Sequence, residues 1–96
     1  MNRIPVESSN LISVGYDPDA KILEIEFRGS KKSGSKVYRY FGIPGWICYD
    51  LTDPNLLLYD GSKGTYFAKV VKGRFKYEEV KEDTDGPIAI TDSNKD

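Results

Sequence analysis

Ile22-Leu23-Glu24-Ile25-Glu26-Phe27 decides the fold, because apolar and acidic residues alternate there without a break, the period of a strand with one face on a core and the other in water. Leu23, Ile25 and Phe27 are expected inside, and Glu24 and Glu26 outside. Just upstream, Asp17-Pro18-Asp19-Ala20 puts Asp at the first and Pro at the second position of a type I turn. The preceding run, Leu11 to Tyr16, then becomes the other arm of a hairpin, with Ile12, Val14 and Tyr16 on one face. Downstream, residues 28–36 contain no apolar side chain and read as a mobile loop. Val37-Tyr38-Arg39-Tyr40-Phe41 resumes the alternation as a third strand. Its orientation stays open: either Tyr38 and Tyr40 line the surface while Arg39 points inward, or Arg39 is exposed and the tyrosines belong to the core.

Pro44 suits the first position of a helix, where its missing N–H leaves nothing unpaired, and Trp46 to about Leu51 reads as a short helix ended by Asp53-Pro54. Residues 55–59 fit a helical turn or an apolar linker equally well. Ser62 is placed to cap a second helix that runs to Lys72, with Phe67, Val70 and Val71 as its apolar stripe and Gly73 as a left-handed terminator. Phe75 to Glu78 reads as a last strand. The expected class is α+β: a small antiparallel β-meander of three to four strands packed against two short helices, forming one domain over residues 1–80. Residues 81–96 read as an acidic, disordered tail in which Ile88-Ala89-Ile90 offers a further edge strand.

Composition narrows the chemistry. At 96 residues, with 39% hydrophobic and 30% charged side chains, the chain can bury one core. It has no histidine, which removes Ser-His, Cys-His and His-metal sites, and its single cysteine, Cys48, can form neither an intramolecular disulfide nor a Cys-rich zinc site. The expectation is a non-catalytic protein without cofactor or metal. A signal peptide and a membrane-length apolar run are both missing, which together with the cysteine usage points to the cytoplasm. The net charge of −1 conceals a split: residues 78–96 carry seven acids against two bases, and residues 1–77 carry twelve bases against eight acids. A basic body favours an anionic partner, although ordinary surface solvation explains the same asymmetry.

Three groups are candidates for a site. Arg28, Lys31, Lys32 and Lys36, with Arg39 nearby, form an electrostatic footprint for a phosphate backbone, or else a solvated loop. Tyr38 and Tyr40 offer a stacking platform for unstacked bases, or else pack beneath a helix. Gly61-Ser62-Lys63-Gly64 opens a helix in a Gly-x-x-Gly arrangement, so Ser62, Lys63 and Gly64 are phosphate contacts or merely a capped turn. Lys69, Lys72, Arg74 and Lys76 read as cations that favour a helix C-terminus with no ligand involved. Cys48 reads as a small buried hydrophobe. Trp46 reads as core or rim, or as a partner contact.

The order Val6-x-Ser8-Ser9-Asn10, Val14-Gly15-Tyr16-Asp17-Pro18, Leu23-x-Ile25-x-Phe27, Tyr38-Arg39-Tyr40, Ile43-Pro44, Tyr49-x-Leu51, Ser62-Lys63-Gly64-x-x-Phe67 and Arg74-Phe75-x-Tyr77 resembles the KTSC domain, over roughly residues 6 to 80. That module occurs alone in bacterial and phage proteins and at the C-terminus of some lysyl-tRNA synthetases, and its function is not established. The resemblance implies the α+β fold above and a non-catalytic binding role, with RNA or single-stranded nucleic acid as the partner through the basic loop and the Tyr38/Tyr40 hallmark. The alternative is a protein partner on an aromatic patch of Trp46, Tyr38 and Tyr40. The sequence departs from the family in a longer, more basic loop before Tyr38 and in added material over residues 52–59.

Overall fold

The alternating run forms β3 (Ile22–Phe27), the middle strand of a five-stranded antiparallel sheet. The computed structural model describes residues 1–29 and 34–80. Its remaining strands are β1 (Arg3–Pro5), β2 (Leu11–Asp17), β4 (Lys36–Phe41) and β5 (Tyr77–Val80), and sheet order follows chain order from β1 to β5. The meander is therefore extended at one edge by β1, three residues ending in proline that show no alternation; pairing of Ile4 with Val14 makes it a strand. The last strand lies two residues later than its apolar pattern suggested, since its limits follow pairing with β4, from Tyr40↔Tyr77 to Val37↔Val80. Lys31, Lys32 and the tail from residue 81, including Ile88 to Ile90, lie outside the described residues.

Two helices cover one face of the sheet. α1 (Gly45–Thr52) follows Pro44, whose extended backbone makes it the cap rather than the first helical residue. α2 (Lys63–Val70) begins after Ser62, whose hydroxyl accepts a hydrogen bond from the Thr65 N–H at 3.2 Å. The chain leaves α2 through Gly73 at φ +80°, a conformation open to glycine without steric cost. The core between the layers joins Leu11, Val14, Leu23 and Ile25 from the sheet, Ile47 and Leu51 from α1, and Tyr66, Phe67 and Val71 from the α2 region. Tyr66, wholly buried, was not in the expected stripe; its ring can be buried because the hydroxyl donates to Asp50 at 2.6 Å.

A register shift between Leu11 and Ser13 is a β-bulge that turns Leu11 and Val14 inward together. It displaces Ile12, which simple alternation had placed inside. Between the helices, Leu58–Gly61 makes a tight turn in which Tyr59 (φ 53°) and Asp60 (φ 55°) both adopt the left-handed region. For side chains with a Cβ this conformation costs about 1–2 kcal/mol each.

The helix-free face corrects one expectation about β3. Glu24, read as solvent-facing, is 3% exposed. Its carboxylate takes a hydrogen bond from Arg39 Nε at 2.8 Å and a second, short one from Arg3 Nη1. Glu26 alongside accepts from Ser13 Oγ at 2.9 Å and from Ser35 Oγ at 2.8 Å. Burial alone would push the Glu24 carboxyl up, but the two guanidiniums outweigh it and hold the group below the ordinary carboxylate range. The Ser35 hydroxyl, followed by Ser13 and Arg3, outweighs burial to hold Glu26 low as well.

Candidate nucleic-acid interface

Antiparallel pairing aligns side chains across β3, β4 and β5, and that settles the orientation of the tyrosines. Ile25 stands opposite Tyr38 and Leu23 opposite Tyr40, so both tyrosines face the helices, while Arg39, opposite Glu24, shares the other face with Val37 and Phe41. Tyr40 is 6% exposed and packs edge-on against Phe67 of α2, with ring centroids 5.3 Å apart. Burial, with Tyr38 and Tyr77 nearby, pushes its hydroxyl up to about 12. Tyr38 is half-buried, edge-on to Phe27 at 5.7 Å.

Between α2 and the β4–β5 edge lies an open groove of about 420 Å³ lined by Phe27, Tyr38, Tyr40, Phe67, Gly73 and Tyr77, with Lys72 at its rim. Tyr77 is its most accessible ring, 60% exposed, stacked on Tyr40 at 5.5 Å and tilted against Tyr38 at 5.8 Å. A second depression of about 310 Å³ shares Phe27, Phe67 and Lys72 with the first and continues to Arg28, Asn10 and Gly64. Lys36, exposed at the start of β4, stands opposite Phe27. Glu79 stands opposite Tyr38 at the sheet edge. The result is an aromatic floor open to water, with Lys72 and Arg28 among its lining residues and Lys36 opposite Phe27.

The residues singled out from sequence therefore divide. Tyr38, Tyr40, Arg28 and Gly64 border one continuous surface, and Lys36 lies beside it. Arg39 does not join them, because it is held on the opposite face by Glu24. Arg28 is anchored, donating to the Ser9 carbonyl at 3.1 Å. Ser62 is occupied as the cap of α2. Lys63 is 5% exposed, and its ammonium donates to the Asp53 carbonyl at the end of α1, so it ties one helix to the next and offers no reach to a phosphate in the groove. Gly64 is explained by packing: a Cβ there would lie 2.8 Å from the Asn10 amide nitrogen. Cys48 is half-buried rather than fully enclosed, and Trp46 is 59% exposed on α1, outside the groove lining. Replacing Lys63 with methionine is expected to lower stability by about 1 kcal/mol, the scale of one lost charge-assisted hydrogen bond offset by retained packing, with oligonucleotide affinity unchanged; urea unfolding and a binding titration check the two halves.

Phe27, Phe67, Lys72 and Tyr77 were not in the expected set. Tyr77 reaches Tyr40 only through pairing across the two intervening helices, and Lys72 read as a cation serving the helix end. Among the described residues, no group of three or more His, Cys, Asp or Glu side chains is placed to hold a metal, and no helix is long and apolar enough to cross a membrane.

The profile of the KTSC domain matches residues 7–75. An uncharacterised protein of Stutzerimonas stutzeri is 36% identical over 72 residues, which cover 75% of this chain and 86% of that protein. A lysine–tRNA ligase of Nostoc is 39% identical over 74 residues, 77% of this chain and 11% of the ligase. The crystal structure of a KTSC domain protein from Yersinia pestis superposes with a TM-score of 0.66 at 36% identity, covering 83% of this chain and 97% of that one.

Proposed function

The chain belongs to the KTSC domain family, and from that premise we propose that it is a non-catalytic module that binds RNA or single-stranded DNA without strong sequence preference. The observation that carries this reading is the solvent-open aromatic floor of Tyr77, Tyr38 and Phe27 with Lys72 at its rim. An unstacked base has two apolar faces and an anionic backbone, and a strip of tilted rings bordered by cations answers both needs. Tyr77 supplies the outer stacking surface and Tyr38 the inner one. Tyr40 takes no base; it braces Tyr77 from below. Lys72, Arg28 and Lys36 take phosphates, and Lys31 and Lys32, which fall between Arg28 and Lys36 in the sequence, are proposed as further phosphate contacts. Similarity to a segment of a lysine–tRNA ligase supports the choice of RNA, since that enzyme acts with a tRNA.

The test is fluorescence anisotropy of a labelled 12-nucleotide single strand titrated at several salt concentrations. Neutralising three phosphates is expected to give a log–log slope of about −2, from roughly −0.7 per phosphate on a single strand. A flat salt response, or no binding at hundred-micromolar protein, contradicts the reading.

A further inference from the structure

A second surface, sharing no lining residue with the aromatic groove, is formed by α1 and the turn that follows it. Residues 45–61 contain three aspartates, Asp50, Asp53 and Asp60, and no lysine or arginine. The same segment exposes Trp46 (59%), Tyr49 (70%), Leu57 (90%), Leu58 (53%) and Tyr59 (43%). Contacts tie the two halves of this segment together through their neighbours. The Leu56 N–H donates to the Asp53 carbonyl at 3.2 Å and folds the segment back on the end of α1. Buried Tyr66 then joins the two halves, its hydroxyl on Asp50 and its ring edge-on to Tyr59 at 6.2 Å. The left-handed pair Tyr59 and Asp60 is secured by that ring contact and by the Ser62 N–H, which donates to the Tyr59 carbonyl at 2.9 Å. The fold thus maintains a strained turn that keeps leucines in water.

Isolated exposed apolar residues are ordinary, but five large ones within seventeen residues have the composition that fills interface cores, with tryptophan and tyrosine prominent. Charge selects the occupant. Asp53 and Asp60 in this segment, with the neighbouring Lys63 ammonium buried on the Asp53 carbonyl, disfavour nucleic acid and favour a partner whose apolar side chains are flanked by lysine or arginine. The geometry points to this face as a docking site for a cationic amphipathic segment of a partner protein. Leucine-sized side chains of that segment cover Trp46, Leu57 and Leu58, and its cations meet Asp53 and Asp60. With the groove on β4 and β5 serving an anionic ligand, the domain has two surfaces of opposite chemistry.

Trp46 is the chain's one tryptophan, so its emission reports on this face alone. The probe is an 18-residue peptide of leucine and lysine at helical spacing, and the control is the same peptide with glutamate for lysine. The lysine peptide is expected to shift Trp46 emission to the blue and to bind at least tenfold tighter than the control. Leu57→Ser/Leu58→Ser removes exposed side chains only, so the thermal transition should hold while affinity falls about tenfold. Asp53→Asn/Asp60→Asn keeps the side-chain acceptor that caps Asn55 and suits the left-handed turn, yet should weaken the lysine peptide about fivefold. Equal binding of both peptides, or lysine-peptide binding unaffected by the leucine variant, overturns the proposal. So does sedimentation showing that the chain alone self-associates and that Leu57→Ser/Leu58→Ser disperses it, because the face is then the chain's own contact.

Discussion

Glu24→Ala is expected to lower the unfolding free energy by about 3 kcal/mol at neutral pH, the low end of the range for breaking a buried ion pair by removing one partner. The carboxylate sits between two guanidiniums on the helix-free face, and its loss removes the anion that joins Arg3 to Arg39 across β3, while Glu26 stays 3.9 Å from Arg3. The estimate stays at the low end because Arg3 and Arg39 keep 20% and 38% of their side-chain surface in water. For a domain of this size the change amounts to a fall of more than 10 °C in melting temperature, at about 4–8 °C per kcal/mol. The pH dependence follows from the direction of the shift. A carboxyl held below its ordinary range binds its proton more readily in the unfolded chain, so its contribution is complete above about pH 4–5 and is lost as pH falls through the folded value. The stability gap between wild type and Glu24→Gln, read from urea midpoints, should be wide at pH 7 and narrow progressively as pH falls below the ordinary carboxylate range. A gap independent of pH would place the cost in packing.

Tyr77→Ala is expected to weaken single-strand binding about tenfold, near the lower half of the roughly 1–3 kcal/mol associated with one base stack. The same change at Tyr38 should cost about as much. Because the two rings touch at 5.8 Å, the double variant should lose less than the product of the single effects. Fold stability separates this from simple damage. Tyr77 is mostly exposed at a sheet edge, so its variant should unfold within about 1 kcal/mol of wild type, whereas Tyr40→Ala opens the core under α2 and should destabilise by about 3 kcal/mol or more. Tyr77→Phe should bind like wild type, since stacking uses the ring and not the hydroxyl.

Much of the fold was legible because it is locally encoded. The period of residues 22–27, the Asp17-Pro18 turn and the Ser62 cap each concern neighbours in the chain, and each is found where the pattern placed it. What escaped was non-local. β1 exists through pairing with β2, the bulge at Leu11–Ser13 through its register against β3, and the burial of Glu24 through cations brought from β1 and β4. The candidate site shows the same division. Alternation put Tyr38 and Tyr40 on a common face, but which face met the helices depended on where α2 came to lie. The most accessible ring, Tyr77, joins them only after the chain has passed through both helices and returned as β5. Lys63 and Arg39 fit a phosphate site by residue type, and tertiary partners, the Asp53 carbonyl and the Glu24 carboxylate, hold them elsewhere.

The most direct test of the account is amide and aromatic-ring shift mapping by NMR as a short single-stranded oligoribonucleotide is added to the full chain. The account predicts shifts concentrated at Tyr38, Lys72, Gly73 and Tyr77, continuing toward Arg28 and Lys36, and abolished in the Tyr38→Ala/Tyr77→Ala variant. Shifts centred on Arg39 and the helix-free face, or none at saturating RNA, would contradict it.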